Sequence, residues 1–189
     1  ILSCSWSSGY SSDLQQALED IGTGGRGGLG TLVFCAAGND HGSPVSYPAR
    51  DPNAIAVGAS TDQGELASYS NVGPEIAFVA PSSGGVRGVF TTDVAYPNRG
   101  FNTGSAAAGG ADGLHTSEFG GTSSATPLAA GIAALVLSAR PGLSATQVRA
   151  VMESTCDRIG SGYDANGHSP AFGHGRVNAG KAVAAAKAA

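Results

Sequence analysis

Apolar residues follow two distinct patterns along this chain. Thr31–Ala37 (TLVFCAA), Ala54–Ala59 (AIAVGA) and Ile76–Ala80 (IAFVA) are short and continuously apolar. Runs of that length read as parallel strands covered on both faces, and Ile1–Trp6 reads as a further short strand. Helical spacing governs Ser12–Ile21, where Leu14, Ala17, Leu18 and Ile21 share one face. Ser12 is placed as its N-cap with Gln15 at the capping-box position, and GTGGRGGLG breaks the helix. Ser123–Ala139 is apolar nearly all round, which implies a fully buried helix, with Pro127 in its first turn and Pro141-Gly142 as its stop. Ser144–Cys156 forms the next helix, capped by Ser144 and Gln147, and Ala179–Ala188 forms the last. Ser82–Glu118 is glycine-rich and reads as loop, with a short hairpin over Val86–Asp93. Strands followed by helices in this order predict one α/β domain with a mainly parallel sheet flanked by helices.

Composition narrows the function classes. The 189 residues are 41% hydrophobic and 6% aromatic, with 30 glycines and a net charge of −4. Enough apolar chain is present to bury a core, and glycine at this level suits tight turns and close helix–sheet contacts. The charge and the lack of a basic patch exclude nucleic acid and anionic membrane as expected partners. No continuous apolar run reaches the roughly 18 residues of a membrane span. Cys4, Cys35 and Cys156 are too few and too scattered for a disulfide framework or a zinc ligand set. Cys4 and Cys35 lie in strand-like runs and read as small buried hydrophobes.

The chemistry-bearing candidates sit where an α/β sheet gathers them, after the carboxyl ends of strands. Ser5-Trp6-Ser7 follows the first strand and Gly38-Asn39 the second. FGGTSSATP (Phe119–Pro127) leads into the long apolar helix. A helix N-terminus carries unpaired N–H groups and a positive dipole end. A hydroxyl at Ser123 can attack a carbonyl carbon there while N–H groups hold the developing oxyanion, and the Asn39 amide can serve the same oxygen. Taken singly, Ser123 also fits a helix cap and Asn39 a turn.

Together these residues resemble the subtilisin-like serine proteases along essentially the whole chain. Gly121-Thr122-Ser123 with Ala125 and Pro127 resembles the family's nucleophile signature, and Ala36-Ala37-Gly38-Asn39 is similar to its oxyanion-asparagine segment. Tyr47-Pro48-Ala49, Ala80-Pro81 and the closing GHGRVNAGKAV resemble further family segments. Ser3-Cys4-Ser5-Trp6, GRGGLGTLVF and PLAAGIAAL resemble the kexin and furin branch. The resemblance implies a serine endopeptidase with Ser123 as nucleophile and Asn39 as oxyanion donor. It implies that Ser5, Trp6 and Ser7 form an edge for extended substrate and that Ala36, Ala37 and Gly38 line a side-chain pocket.

The same resemblance implies an Asp and a His upstream of Ile1, so that residues 1–189 are the C-terminal part of the peptidase domain. Inactivity, or nearly so, is the expectation for these residues alone. His41 is the best-placed local substitute base, while His115, His168 and His174 read as structural or solvated. The expected partners are a peptide or protein substrate, and the upstream half or a second copy added at the Ile1–Ser5 edge. No cofactor is expected to be required. Calcium is expected as a possible structural ion, with Ala49, Asp51 and Ala54 as weak candidates. A secreted or lumenal location follows from the family. Two other classes stay open: a non-catalytic module binding extended peptides, and a serine esterase using His41.

Overall fold

The computed structural model describes residues 1–94 and 100–188. The apolar runs become four strands: β1 (Leu2–Cys4), β2 (Val33–Ala36), β3 (Ile55–Ser60) and β4 (Ile76–Pro81). They form one parallel sheet in the order β1-β2-β3-β4. Alternation along the strands divides the core in two. Leu32, Phe34, Ile55, Val57 and Ala59 face α2 (Thr122–Ala139), α3 (Ala145–Ser154) and α4 (Ala179–Ala188). Val33, Cys35, Ala37 and Ala56 face α1 (Ser12–Gly28) through Leu18. The pairing steps from Ala56↔Ile76 to Val57↔Phe78, which leaves Ala77 as a bulge.

Helix α1 departs from its expected ends. Its N-cap is Ser11 rather than Ser12, because Ser11 Oγ accepts from Leu14 N at 3.3 Å. Gln15 instead accepts from the Tyr10 hydroxyl. Helical turns continue through the glycines until Gly25, and Arg26 and Gly27 are left-handed. A left-handed arginine is held there by tertiary bonds, its guanidinium donating to the carbonyls of Pro141 and Leu143. At α3 the Ser144–Gln147 capping box forms as expected.

Full burial of α2 is corrected. It packs on all four strands and on α3 and α4, yet Pro127, Gly131, Ala134, Leu135 and Ser138 form an exposed stripe, with Leu135 53% exposed. Small residues and one leucine leave little apolar area to hide on that face. By length and composition the 18-residue α2 could also cross a membrane, a possibility hidden from a count of uninterrupted apolar residues by its Thr, Ser and Pro. Half of it is buried against the sheet and neighbouring helices.

The expected Val86–Asp93 hairpin is also corrected. β5 (Val89–Thr92) pairs antiparallel with the distant β6 (His115–Phe119). Of the loop read over Ser82–Glu118, residues 95–99 lie outside the described residues. Its 100–113 part is organised by buried Asn102, whose Nδ2 donates to the carbonyls of Gly110 and His115 while Oδ1 accepts from Gly104 N and Ser105 N. β6 runs directly into the α2 entry turn.

Candidate active site

The carboxyl ends of β1 and β2 meet the N-terminus of α2. Between them lies a cleft of about 200 Å³ lined by Ser5, Trp6, Ser7, Ala36, Gly38, Asn39, Asp40, Thr122 and Ser123. The entry to α2 depends on Gly121, which caps the helix at φ 75° and ψ 174° with no side-chain cap. Only glycine adopts that backbone readily. Ser123 is therefore the second residue of the helix and not its cap. It is half-buried and lines the cleft, whereas Ser124 is turned inward, its hydroxyl bonded to Ser82 Oγ at 2.6 Å.

Asn39 is fixed by its oxygen. Thr122 donates to Asn39 Oδ1 twice, from its backbone N at 2.8 Å and from Oγ1 at 2.9 Å. The Asn39 NH₂ has no acceptor among the described residues and remains a donor within the cleft. Gly38, at φ 113°, permits this turn because a side chain there would strike Asn71 Nδ2.

Pro127 is the sixth residue of α2, beyond the first turn in which the sequence places it. It supplies no N–H to the carbonyl four residues earlier, and that carbonyl, Ser123 O, accepts from Ser5 Oγ at 2.9 Å. The proline thus frees the group that ties the Ser5-Trp6-Ser7 edge to the helix. Ser8 N holds the following residue to Tyr47 O at 2.9 Å.

Of the other expected site residues, Ala36 and Gly38 line the cleft and Ala37 does not. Ala37 is fully buried and belongs to the core facing α1, as its alternation with Ala36 requires. Asp40 was not singled out in the sequence, and the usable signal was a carboxylate directly after the candidate oxyanion asparagine. Its Oδ2 accepts from Asn71 Nδ2 at 3.0 Å, and buried Asn71 also accepts from Asp40 N at 2.7 Å.

Among the described residues no histidine lines the cleft. His41 is exposed with a left-handed backbone (φ 54°), His115 stacks on Phe90, and His168 Nε2 bonds Ile76 O at 2.8 Å. His174 faces His168 edge-on, 3.9 Å from Glu153. Burial pushes the Cys35 and Cys156 thiols up to about 12, which disfavours the thiolate at both.

The Ala49–Ala54 segment is held by its own hydrogen bonds and by α3. The Asp51 carboxylate accepts from Asn53 N and Nδ2, the Asp51 carbonyl accepts from Ala54 N, and the Arg149 guanidinium points at Ala54 O from 3.5 Å. Among the described residues no three His, Cys, Asp or Glu side chains converge as a metal site. A larger hollow of about 450 Å³ lies between the end of α1 and α3. Its lining holds no serine, cysteine or histidine.

The model described as the subtilase family matches residues 1–185. The chain belongs to the subtilase family. The calcium-dependent protease of Nostoc sp. is 42% identical in a 171-position alignment that covers 84% of this subtilase and 25% of that protein. The halolysin-like extracellular serine protease Nep of Natrialba magadii is 42% identical over 82% of the chain and 23% of its own length. Subtilisin BL of Lederbergia lenta is 35% identical over 79% and 45%. This subtilase therefore spans less than half the length of these relatives. Among solved structures, the serine protease of Aeromonas sobria in complex with its chaperone superposes with a TM-score of 0.81. It is 21% identical, over 100% of this chain and 42% of that one. A protease of Pseudoalteromonas arctica gives a TM-score of 0.70 at 28% identity, over 96% and 49%. The expected α/β subtilisin-like fold is thereby established.

Proposed function

We propose that residues 1–189 are the C-terminal, nucleophile-bearing part of a subtilisin-like serine endopeptidase domain. One observation carries this reading: Thr122 fixes the Asn39 oxygen, so that the Asn39 NH₂ and Ser123 share one cleft. In the proposed reaction Ser123 Oγ bonds to the peptide carbonyl carbon while its proton passes to a histidine supplied by the upstream segment. The Asn39 amide donates to the oxyanion. The C–N bond then breaks, the amine leaves with that proton, and water hydrolyses the resulting ester.

The cleft supports a substrate class as well. The Asp40 carboxylate at its rim favours substrates with a basic residue. Calcium dependence, the property in the Nostoc relative's name, is not assigned to the Ala49–Ala54 segment. Secretion is proposed by analogy with the extracellular relative.

A fluorophosphonate probe tests the reading. Ser123 is expected to react only when the Asp- and His-bearing segment is supplied, with loss of labelling in Ser123→Ala. A second reading, a non-catalytic peptide-binding module, draws on a cleft that no described histidine lines and is supported by no labelling under any complementation. Strong labelling of the 189 residues alone, abolished in His41→Ala, would replace both with a local-histidine esterase.

A further inference from the structure

The turn that introduces Ser123 is braced from behind by a ring of hydroxyls. Gly121 N lies 3.3 Å from Ser83 Oγ, and Ser83 Oγ lies 3.2 Å from Tyr69 Oη. Tyr69 Oη lies 2.9 Å from Ser82 Oγ, which lies 2.7 Å from Gly121 O. One proton assignment satisfies these four links: the amide donates to Ser83, Ser83 to Tyr69, Tyr69 to Ser82, and Ser82 back to the Gly121 carbonyl, with Ser83 O a competing acceptor 2.9 Å from Tyr69 Oη. Ser124 closes the other side by donating to Ser82 Oγ at 2.6 Å. The ring leaves no slack, since a side chain at Gly120 would collide with Ser83 Oγ. Ser82 and Ser124 are buried, where such a network is strengthened by the low dielectric.

Tyr69 also reaches the other half of the site. Its carbonyl accepts from His41 N at 3.1 Å, in the loop that carries Asn39. One residue of the β3–β4 connection therefore grips both the Gly121 turn and the Asn39 loop. Fixing both Gly121 backbone groups fixes the next amide, Thr122 N–H, which holds Asn39 Oδ1.

We infer that Tyr69, acting through Ser82 and Ser83, is a positioning residue that sets the aim of the Asn39 amide relative to Ser123. This rests on the assignment of Ser123 and Asn39 given above. Tyr69 does not line the cleft, so its effect belongs in the transition state and not in binding.

The experiment is steady-state kinetics on the active full-length protease carrying Tyr69→Phe and, separately, Ser82→Ala, with melting temperatures as a folding control. Each variant is expected to lower kcat about fivefold, the size of one hydrogen bond, with KM unchanged. In an Asn39→Ala background the Tyr69→Phe loss is expected to shrink to less than about twofold, because the group it aims is gone. A purely structural tyrosine would cost the same in both backgrounds. Unchanged kcat in both single variants, or an undiminished loss beside Asn39→Ala, overturns the positioning role. Full activity in Ser123→Ala would instead overturn the site assignment, and this inference with it.

Discussion

Thr122 and Asn39 are joined by two hydrogen bonds to a single oxygen, 2.8 Å from the backbone amide and 2.9 Å from the hydroxyl. The arrangement decides the orientation of the Asn39 amide without a contact to its nitrogen. Replacing Thr122 by Val keeps the amide bond and removes the hydroxyl, which donates to Asn39 and also accepts from Gly38 N at 3.3 Å. The expected result is a loss of about fivefold in kcat, with KM near wild type. Asn39→Ala removes the donor itself and should cost about 10²- to 10³-fold, a magnitude carried over from subtilisin. Kinetics on both variants check this, and a larger loss in Thr122→Val than in Asn39→Ala would contradict it.

Legibility in the sequence differs from element to element. Four apolar runs become the four strands, and α4 has its expected bounds, because these signals are local. The Ser144–Gln147 cap is equally legible. The left-handed Arg26 is not, because it is stabilised by carbonyls more than a hundred residues away. The partner of β5 escapes for the same reason: the intervening loop is held by one buried asparagine, Asn102. Ser123 and Asn39 stand out by their positions at a helix start and a strand end. Their shared cleft depends on Gly121 and Thr122, whose backbone roles no residue pattern displays. Strand alternation, carried through to the end of β2, is enough to exclude Ala37 from the pocket.

Asp40 should set substrate charge preference. Asn71 braces one oxygen of its carboxylate at the cleft rim, and a cationic side chain entering the cleft would meet that charge at the protein–water boundary. Such an interaction is worth about 1 kcal/mol at close range in high dielectric and weakens with salt. Asp40→Asn is expected to reduce kcat/KM for Lys- and Arg-containing peptides about fivefold and to leave neutral peptides unchanged. The wild-type preference should fade between 0.05 and 0.5 M salt, roughly as the screening length shortens. Equal effects on basic and neutral peptides would remove Asp40 from specificity.

Acid should loosen the attachment of α4. Lys181 Nζ, at 2.7 Å, is the main reason the Asp157 carboxyl lies below its ordinary range, with Asn178 Nδ2 at 3.0 Å second and burial opposing both. Asp164 is also lowered, first by the backbone N–H of His168. A carboxyl depressed in the folded state adds stability that is fully present above its unfolded pKa of about 3.9 and is lost as pH falls through the folded value. Urea midpoints measured from pH 6 down to pH 2.5 should therefore hold steady and then drop below about pH 4. Asp157→Asn should lower the plateau and flatten part of the drop. An unchanged profile in that variant would show that Lys181 and Asn178 do not couple protonation to folding.

The outer edge of β1 should recruit another strand. Leu2–Cys4 pair with Val33–Cys35 on one side only, and among the described residues nothing pairs with the other. Ile1 and Leu2 are 40% and 46% exposed, and Trp6 is 48% exposed beside them. A short apolar edge with no Lys or Pro lacks the usual protection against edge-to-edge association. The 189 residues alone are thus expected to self-associate at tens of micromolar, or to bind the Asp- and His-bearing segment proposed above when it is added, with the Ile1–Ser5 amides protected from exchange in either complex. Leu2→Lys should weaken both associations together, since a buried ammonium beside an added strand is costly. Sedimentation and hydrogen exchange separate the outcomes: a monomer with freely exchanging Ile1–Ser5 amides, in the presence and absence of that segment, would mean that this edge is closed to strand addition.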